Sequence, residues 1–173
     1  IIATGSTPVM PADWREFGDK VLTTDEFFEQ EQLPDKVAVI GMGVIGLELG
    51  QALNAMDIEV TGFDMAPTIA GLSDPQVAQS ALNILSKEFP IHLGHAAEIE
   101  ADGNELKVVA GDVSVTVEKV LVAIGRRPNL NQLKLENLGV ELDRRGLPTY
   151  NPNTMQIDGQ PVYLAGDVNG YLQ

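Results

Sequence analysis

Hydrophobic residues in this chain follow two patterns, continuous runs and strict alternation. Nearly continuous runs lie at Val37–Ile40, Ile58–Phe63, Phe89–Leu93 and Val120–Ile124. Short runs of this kind predict strands that are buried on both faces of a parallel sheet. Between Ala97 and Val117 apolar and polar residues alternate instead, which predicts a three-stranded antiparallel meander.

Helical spacing of apolar residues appears between the predicted strands. It covers Leu47–Met56, and it recurs after Asp74, where Pro75 suits the first turn of a helix. The apolar face of this second helix is predicted to contain Val77, Ala78, Ala81, Leu82 and Leu85. Thr23 and Glu26 fit a capping box for a short helix through about Gln30. The fold class predicted is therefore α/β, a Rossmann-like parallel sheet with flanking helices and an antiparallel β-meander.

The two ends of the chain carry weaker signals. Ile1–Thr4 and Val162–Ala165 are predicted to be short strands. They are expected either to pair with each other on the nucleotide domain or to mediate contact between copies. Ser6–Asp13 is predicted to be a connector, and Arg126–Pro161, rich in Pro, Asn and Gly, to be mostly irregular.

Three glycines follow the first buried strand in the spacing G-x-G-x-x-G, at Gly41, Gly43 and Gly46. Such glycines allow a tight turn, close approach of backbone to a pyrophosphate, and close packing of helix on sheet. Asp64 ends the next strand, 23 residues after Gly41, where an acid can bind a ribose hydroxyl. Strand, glycine turn, helix, strand and acid together predict a dinucleotide site; the alternative is a tight turn without a ligand.

Charge narrows the choice of ligand. Lys36 is followed by no Lys or Arg until Lys87, so the glycine turn and the segment after Asp64 lack cations. NADP needs a cation near its 2′-phosphate, whereas NAD suits a carboxylate, so NAD is expected. The net charge of −14 and the isoelectric point near 4.3 disfavour nucleic acid and anionic membranes as partners.

Residue types and patterns that the sequence lacks exclude several classes of protein and of site. It has no cysteine, which excludes disulfides, thiol nucleophiles and zinc–thiolate sites within these 173 residues. No apolar run reaches membrane-spanning length. Because the sequence begins inside an apolar run and without Met, we expect it to be a fragment of a longer parent protein. The parent is expected, by default, to be cytoplasmic.

Four segments in family order resemble the flavin-dependent pyridine nucleotide–disulfide oxidoreductases, and within them the dihydrolipoamide dehydrogenase branch. Ile2–Ser6 resembles the ATG segment of the flavin domain, and Ile40–Glu48 the NAD fingerprint. Val122–Asn129 is similar to the A-x-G-R-x-P-N segment that returns to the flavin domain. Tyr163–Asp167 is similar to the second flavin motif.

The resemblance implies roles for individual residues. Glu48 would lie on the nicotinamide ribose side, Gly125 would let backbone approach NAD, Arg126 would lie near the flavin domain, and Asp167 would bind the ribityl chain of FAD. The expected cofactor-binding residues are Gly41, Gly43, Val44, Ile45, Gly46, Glu48, Asp64, Gly125, Arg126, Gly166 and Asp167. No catalytic or metal-binding residue is expected; His92 and His95 match no motif and are expected to be structural or on the surface.

The implied domains are 1–22, a flavin-domain remnant with a connector; 23–125, the NAD-binding domain; and 126–173, a crossover with a second remnant. The implied parent carries FAD and transfers electrons between NAD(H) and a disulfide substrate such as dihydrolipoamide. It also carries an interface domain and is a homodimer. Because the family's redox cysteines and histidine–glutamate pair are absent here, this chain alone is expected to be inactive. A transhydrogenase or other reductase without a redox disulfide, and a non-catalytic NAD-binding module, remain alternatives.

Overall fold

The computed structural model describes residues 1–170. Ten strands are present in this part of the chain: β1 Ser6–Pro8, β2 Val21–Thr23, β3 Lys36–Ile40, β4 Glu59–Asp64, β5 Ile91–Leu93, β6 Glu98–Asp102, β7 Glu105–Ala110, β8 Val113–Val117, β9 Lys119–Val122 and β10 Arg126–Pro128. The α-helices are α1 Thr24–Phe27, α2 Val44–Asn54 and α3 Pro75–Leu85. Short 3₁₀ segments lie at Ala12–Lys20, Asn131–Leu133, Leu135–Leu138 and Gly166–Asn169.

The chain divides into two compact units. One runs from Val9 to Ile124, and the other combines Ile1–Pro8 with the described residues from Gly125 to Gly170. We call them the sheet unit and the terminal unit.

The sheet unit is built on a five-stranded parallel sheet in the order β2-β9-β3-β4-β5. Its central strand β3 is buried on both faces, which explains why its sequence is a continuous apolar run. Val37 and Val39 pack into one hydrophobic cluster, which includes Leu47 of α2, whereas Ala38 and Ile40 pack into a second cluster on the opposite face. The predicted α/β fold class is confirmed.

The helical face of the sheet depends on two glycines that make room for large side chains. A Cβ on Gly50 of α2 would lie 2.8 Å from the ring of Phe89, and one on Gly62 of β4 would meet the Met42 sulfur. Phe89 is 2% exposed and Met42 fully buried. The absence of a side chain at Gly50 and Gly62 therefore sets how closely α2 and the turn before it pack on the sheet.

The opposite face of the sheet is covered by the predicted meander. Strands β6, β7 and β8 pair in that order as antiparallel neighbours. Leu106, Val108 and Val117 are buried in one cluster with Phe63 and Val120 of the parallel sheet. Because only one face of the meander is buried, its sequence alternates with period two.

The terminal unit joins the two ends of the chain. β1 pairs antiparallel with β10, and Ile2 forms a parallel bridge with Leu164. A separate small core contains Leu130, Leu135, Leu147, Ile157, Leu164 and Val168. The predicted pairing between the chain ends is therefore present, but the paired ends belong to the terminal unit rather than to the sheet unit.

Several local predictions were wrong at their boundaries. Ile1–Thr4 and Val162–Ala165 form isolated bridges rather than strands, and the predicted connector Ser6–Asp13 contains β1. The helix after Thr23 ends at Phe27, before the predicted Gln30. Val77 is 52% exposed and lies outside the buried face of α3. β2 was missed because three residues are too short to show a period.

The predicted capping box of α1 is confirmed. The Thr23 hydroxyl accepts a hydrogen bond from the Glu26 N–H at 3.3 Å, and the Glu26 carboxylate accepts one from the Thr23 N–H at 2.8 Å. The Thr23 backbone N–H first, and its hydroxyl second, hold the pKa of Glu26 below its usual value. The ionised carboxylate is thus the form that stabilises the folded chain.

We expect Glu26→Ala to lower the free energy of unfolding by about 1 kcal/mol at neutral pH, the usual cost of losing a cap. A carboxyl with a lowered folded-state pKa stabilises fully above its unfolded pKa, and this contribution is lost as pH falls through the folded value. The difference from the unmodified chain should therefore shrink in acid, as measured by denaturant unfolding across pH. Glu29→Ala, an exposed neighbour outside the box, is the control; equal effects of both variants would contradict this account.

Candidate nucleotide-binding site

Two glycines of the fingerprint are required by the fold itself. Gly41 has φ +102°, and a Cβ there would overlap the carbonyl oxygen of Ala123, just beyond β9. A Cβ on Gly46 would overlap the Gly41 carbonyl oxygen. Backbone atoms occupy both places. A side chain at Gly41 would push the turn away from Ala123, and one at Gly46 would push α2 away from the turn after β3.

Gly43 is different, because nothing in the described fold requires a glycine there. Its φ of −68° suits any residue, and a Cβ would meet no atom within 4 Å. Space is therefore left open at the point where the turn enters α2. A missing side chain next to open space fits close approach of a ligand to the backbone.

The open space lies at the N-terminus of α2, whose first turn contains Val44, Ile45 and Gly46. Gly43 is the N-cap residue and offers no side-chain acceptor, whereas α1 and α3 are capped by Thr23 and Asp74. The first N–H groups of a helix have no intrahelical acceptor, and the helix dipole adds partial positive charge. This end of α2 can therefore accept an anion such as a phosphate.

Asp64 is positioned at the same edge of the sheet by the parallel pairing of β3 and β4. Its carboxylate accepts hydrogen bonds from the Met42 N–H at 2.6 Å and from the Ala66 N–H at 2.8 Å. It is half-buried. The structure thus brings Asp64 together with the Gly41–Gly46 turn, and Glu48 lies exposed farther along α2.

The remaining predicted residues form a second group, in the terminal unit. The half-buried Arg126 donates from Nε to the Ser6 hydroxyl at 2.8 Å, and from Nη2 to the Ser6 carbonyl at 2.9 Å. The Ser6 hydroxyl in turn donates to Asp167 at 3.3 Å. Gly166 and Gly125 have φ values of +74° and +110°, which glycine adopts readily.

The histidines lie outside this chemistry. His92 packs its ring against Phe63 with centroids 5.5 Å apart. His95 is exposed, and its ring lies over Gly111 in the turn between β7 and β8. Within residues 1–170 no cluster of His, Asp or Glu is arranged to hold a metal ion.

Sequence reasoning missed contacts that connect distant motif residues. The Asn129 carboxamide accepts a bond from the Thr7 hydroxyl at 2.8 Å and donates one to the Thr4 carbonyl at 3.1 Å. The Thr4 hydroxyl donates to the Asn129 carbonyl at 2.7 Å. Thr4 and Asn129 lie in segments that resemble family motifs, but the sequence carries no signal for the hydrogen bonding between these segments. Met42, although inside the fingerprint, was likewise not singled out.

Among the helices of residues 1–170, none has the length and apolarity needed to cross a membrane.

The parallel sheet, the glycine turn and the acid at the end of β4 have the arrangement that is typical of dinucleotide-binding α/β units. Residues 1–173 match the family described as pyridine nucleotide-disulphide oxidoreductase, and the chain belongs to that family.

Similar proteins carry related names. Dihydrolipoyl dehydrogenase from Thermus scotoductus is 37% identical over 177 residues, which cover 97% of this chain and 38% of that protein. The enzyme of the same name from Chlamydia pneumoniae is 33% identical, with 98% of this chain and 37% of that protein covered. The chain thus spans less than two fifths of these relatives.

Solved structures agree with the fold. The Cu(II) complex of the HOCl-induced flavoprotein disulfide reductase RclA from Escherichia coli superposes with a TM-score of 0.85 at 25% identity, covering 99% of this chain and 40% of that one. LpdA from Mycobacterium tuberculosis gives a TM-score of 0.83 at 25% identity, with 98% and 38% covered.

The contrast between the glycines predicts separable effects. Gly43→Ala should leave the thermal unfolding midpoint nearly unchanged, because its Cβ enters open space, yet weaken dinucleotide binding by about tenfold or more, or ~1.4 kcal/mol. Gly46→Ala should instead destabilise the fold through backbone overlap. Calorimetry with NAD and thermal unfolding of both variants test this; unchanged NAD affinity in Gly43→Ala would remove Gly43 from the site.

Proposed function

We propose that this chain is the NAD(H)-binding part of an FAD-dependent oxidoreductase that transfers electrons between NAD(H) and a disulfide substrate such as dihydrolipoamide. The observation that carries the proposal is the open space at Gly43, which adjoins the uncapped N-terminus of α2. Family membership supports the same assignment.

The residues present fit a dinucleotide. The pyrophosphate would lie against Gly43 and the N–H groups at Val44, Ile45 and Gly46. Asp64 would accept a hydrogen bond from a hydroxyl of the adenosine ribose, using lone pairs that its two backbone bonds leave free. Glu48 would lie on the nicotinamide ribose side.

In the terminal unit we propose roles connected with both cofactors. Gly125, with no atom near its missing Cβ, would let backbone approach NAD. Arg126 would lie near the flavin domain, and Asp167, which follows Gly166, would bind the ribityl chain of FAD. The hydrogen bonds through Ser6 fix where Arg126 and Asp167 lie relative to each other.

The nicotinamide and flavin, when bound, supply the hydride transfer themselves. The residues of this chain bind and orient the nucleotide: α2 offers N–H groups to its phosphates, and Asp64 favours a ribose with a free 2′-hydroxyl over one with a 2′-phosphate.

The domain limits proposed are 1–22, 23–125 and 126–173. We also propose that the parent is a homodimer with an interface domain and that it is located in the cytoplasm.

The disulfide substrate is supported by the names of the relatives, dihydrolipoyl dehydrogenase and flavoprotein disulfide reductase. These names favour a disulfide-reducing parent over a transhydrogenase or a non-catalytic module. A redox cysteine pair in the full-length parent is the feature to test. Replacing either cysteine by serine should abolish dihydrolipoamide oxidation.

Cofactor choice is the most direct test of the site. NAD(H) should bind more tightly than NADP(H), because Asp64 would face the 2′-phosphate and the 50 residues from Val37 to Ser86 carry no Lys or Arg. Asp64→Ala should narrow the difference by on the order of 1–3 kcal/mol, the cost of leaving hydrogen-bonding groups unpaired. Calorimetry with both cofactors measures it.

Glu105→Ala, in β7 of the meander, is the matched control for loss of one negative charge. It should leave the difference between the cofactors unchanged. Equal affinity of the unmodified chain for NAD and NADP would refute the assignment of Asp64.

The second test concerns redox chemistry in the chain alone. With no cysteine and no flavin fingerprint of its own, purified chain should be colourless and should not oxidise NADH with dyes or lipoamide-type acceptors. Visible absorption spectra and NADH turnover, with and without added FAD, measure this. A yellow preparation that turns over would show that the chain carries more of the enzyme than proposed.

A further inference from the structure

The Asp64 carboxylate connects two segments of the site before any ligand is considered. Its Oδ2 accepts the Met42 N–H at 2.6 Å, and Met42 lies 22 residues earlier, between the first two fingerprint glycines. Its Oδ1 accepts the Ala66 N–H at 2.8 Å, in the segment that follows β4. Each oxygen of one side chain thus holds a different loop.

The Met42 peptide is fixed from its other sides as well. Its carbonyl accepts the Ala70 N–H at 2.8 Å, and its side chain is fully buried above Gly62. The preceding Gly41 N–H donates to the Phe63 carbonyl at 2.8 Å. The Met42 N–H is therefore a polar group of a closely packed turn, and Asp64 provides its acceptor.

We propose that Asp64 is a positioning residue for the pyrophosphate as well as a ribose ligand, because it holds the Gly41–Gly43 turn in its binding geometry. This inference rests on the proposed function. Hydrogen bonds to an ionised acceptor are stronger than neutral ones, and a turn fixed in advance loses less conformational freedom when ligand binds. Asp64 therefore contributes to affinity for nucleotides that lack the ribose hydroxyls.

A carboxylate suits this role because both of its oxygens are acceptors. Asparagine has nearly the same size but only one acceptor oxygen, so its NH₂ group would face one of the two N–H donors. Asp64→Asn therefore breaks one side of the connection while keeping the volume of the side chain. It also keeps a group able to bond a ribose hydroxyl.

The test compares ADP with 2′,3′-dideoxy-ADP, which has no ribose hydroxyl for Asp64 to bind. Calorimetry on the unmodified chain and on Asp64→Asn should show dideoxy-ADP binding weakened by about fivefold or more in the variant, because the turn is then less firmly fixed before the ligand binds. A residue acting only on ribose hydroxyls would leave this affinity unchanged, and that result would overturn the proposal.

Amide hydrogen exchange without ligand gives a second, independent measurement. The Met42 and Ala66 amides should be protected in the unmodified chain, and at least one should exchange faster in Asp64→Asn. Asp57→Asn is the matched control: Asp57 is exposed and has φ +63°, a conformation that Asn also tolerates. It should change neither exchange nor affinity.

The outcomes separate the two hypotheses. If the unmodified chain binds neither ADP nor NAD, the proposed function fails. If it binds both, and Asp64→Asn binds dideoxy-ADP equally well, only the positioning role fails. Should Asp64→Asn not fold, Asp64→Ser keeps one acceptor in a smaller side chain, and unprotected Met42 and Ala66 amides in the unmodified chain would themselves contradict the proposal.

Discussion

The sheet unit depends on one close approach, that of the first turn of α2 to the end of β3. At Gly46 a side chain would overlap the Gly41 carbonyl oxygen, and at Gly41 it would overlap the backbone of Ala123. At these two positions strand, turn and helix therefore approach each other so closely that backbone atoms fill the space of a side chain. Because this contact fixes the direction of α2, it also fixes where the free N–H groups of the helix point.

An anionic ligand for a chain of net charge −14 needs a local source of attraction. Here the source is backbone rather than side chains: the uncapped start of α2 supplies N–H groups, while the 50 residues after Lys36 contain no cation. Such dipoles act over short distances and have fixed directions. Asp64 can therefore lie beside the proposed phosphate site without cancelling its attraction for an anion, since its oxygens are bonded to backbone N–H groups.

Regular features of this fold could be predicted from sequence because each follows from local chemistry. The β3 run is continuous since Val37 and Ala38 face different buried clusters, and the meander alternates since one of its faces is covered. The Thr23 capping box is a contact between residues three apart. Such signals require nothing beyond a few neighbouring residues.

What the sequence could not predict comes from tertiary contacts. β1 and β2 are three residues each, too short for a period, and they exist only because β10 and β9 pair with them. In the site, the spacing of Gly41 and Asp64 was visible, but the bond from Met42 to Asp64 was not. The sequence likewise places three glycines in one motif. It does not indicate that packing requires Gly41 and Gly46, whereas Gly43 adjoins open space.

The family motifs follow one another along the whole chain, yet the chain forms two compact units. Pairing within the terminal unit explains how both can be true. Pro8 is paired with Arg126, so the chain leaves this unit and returns to it at neighbouring positions of one antiparallel ribbon. When the two ends of an inserted segment lie close together, it can complete its own core without straining its host. The bonds of Asn129 to Thr4 and Thr7, and of Arg126 to Ser6, hold that ribbon together. The motif residues at this crossing therefore have a structural task, and the same bonds orient the side chains proposed to serve the flavin.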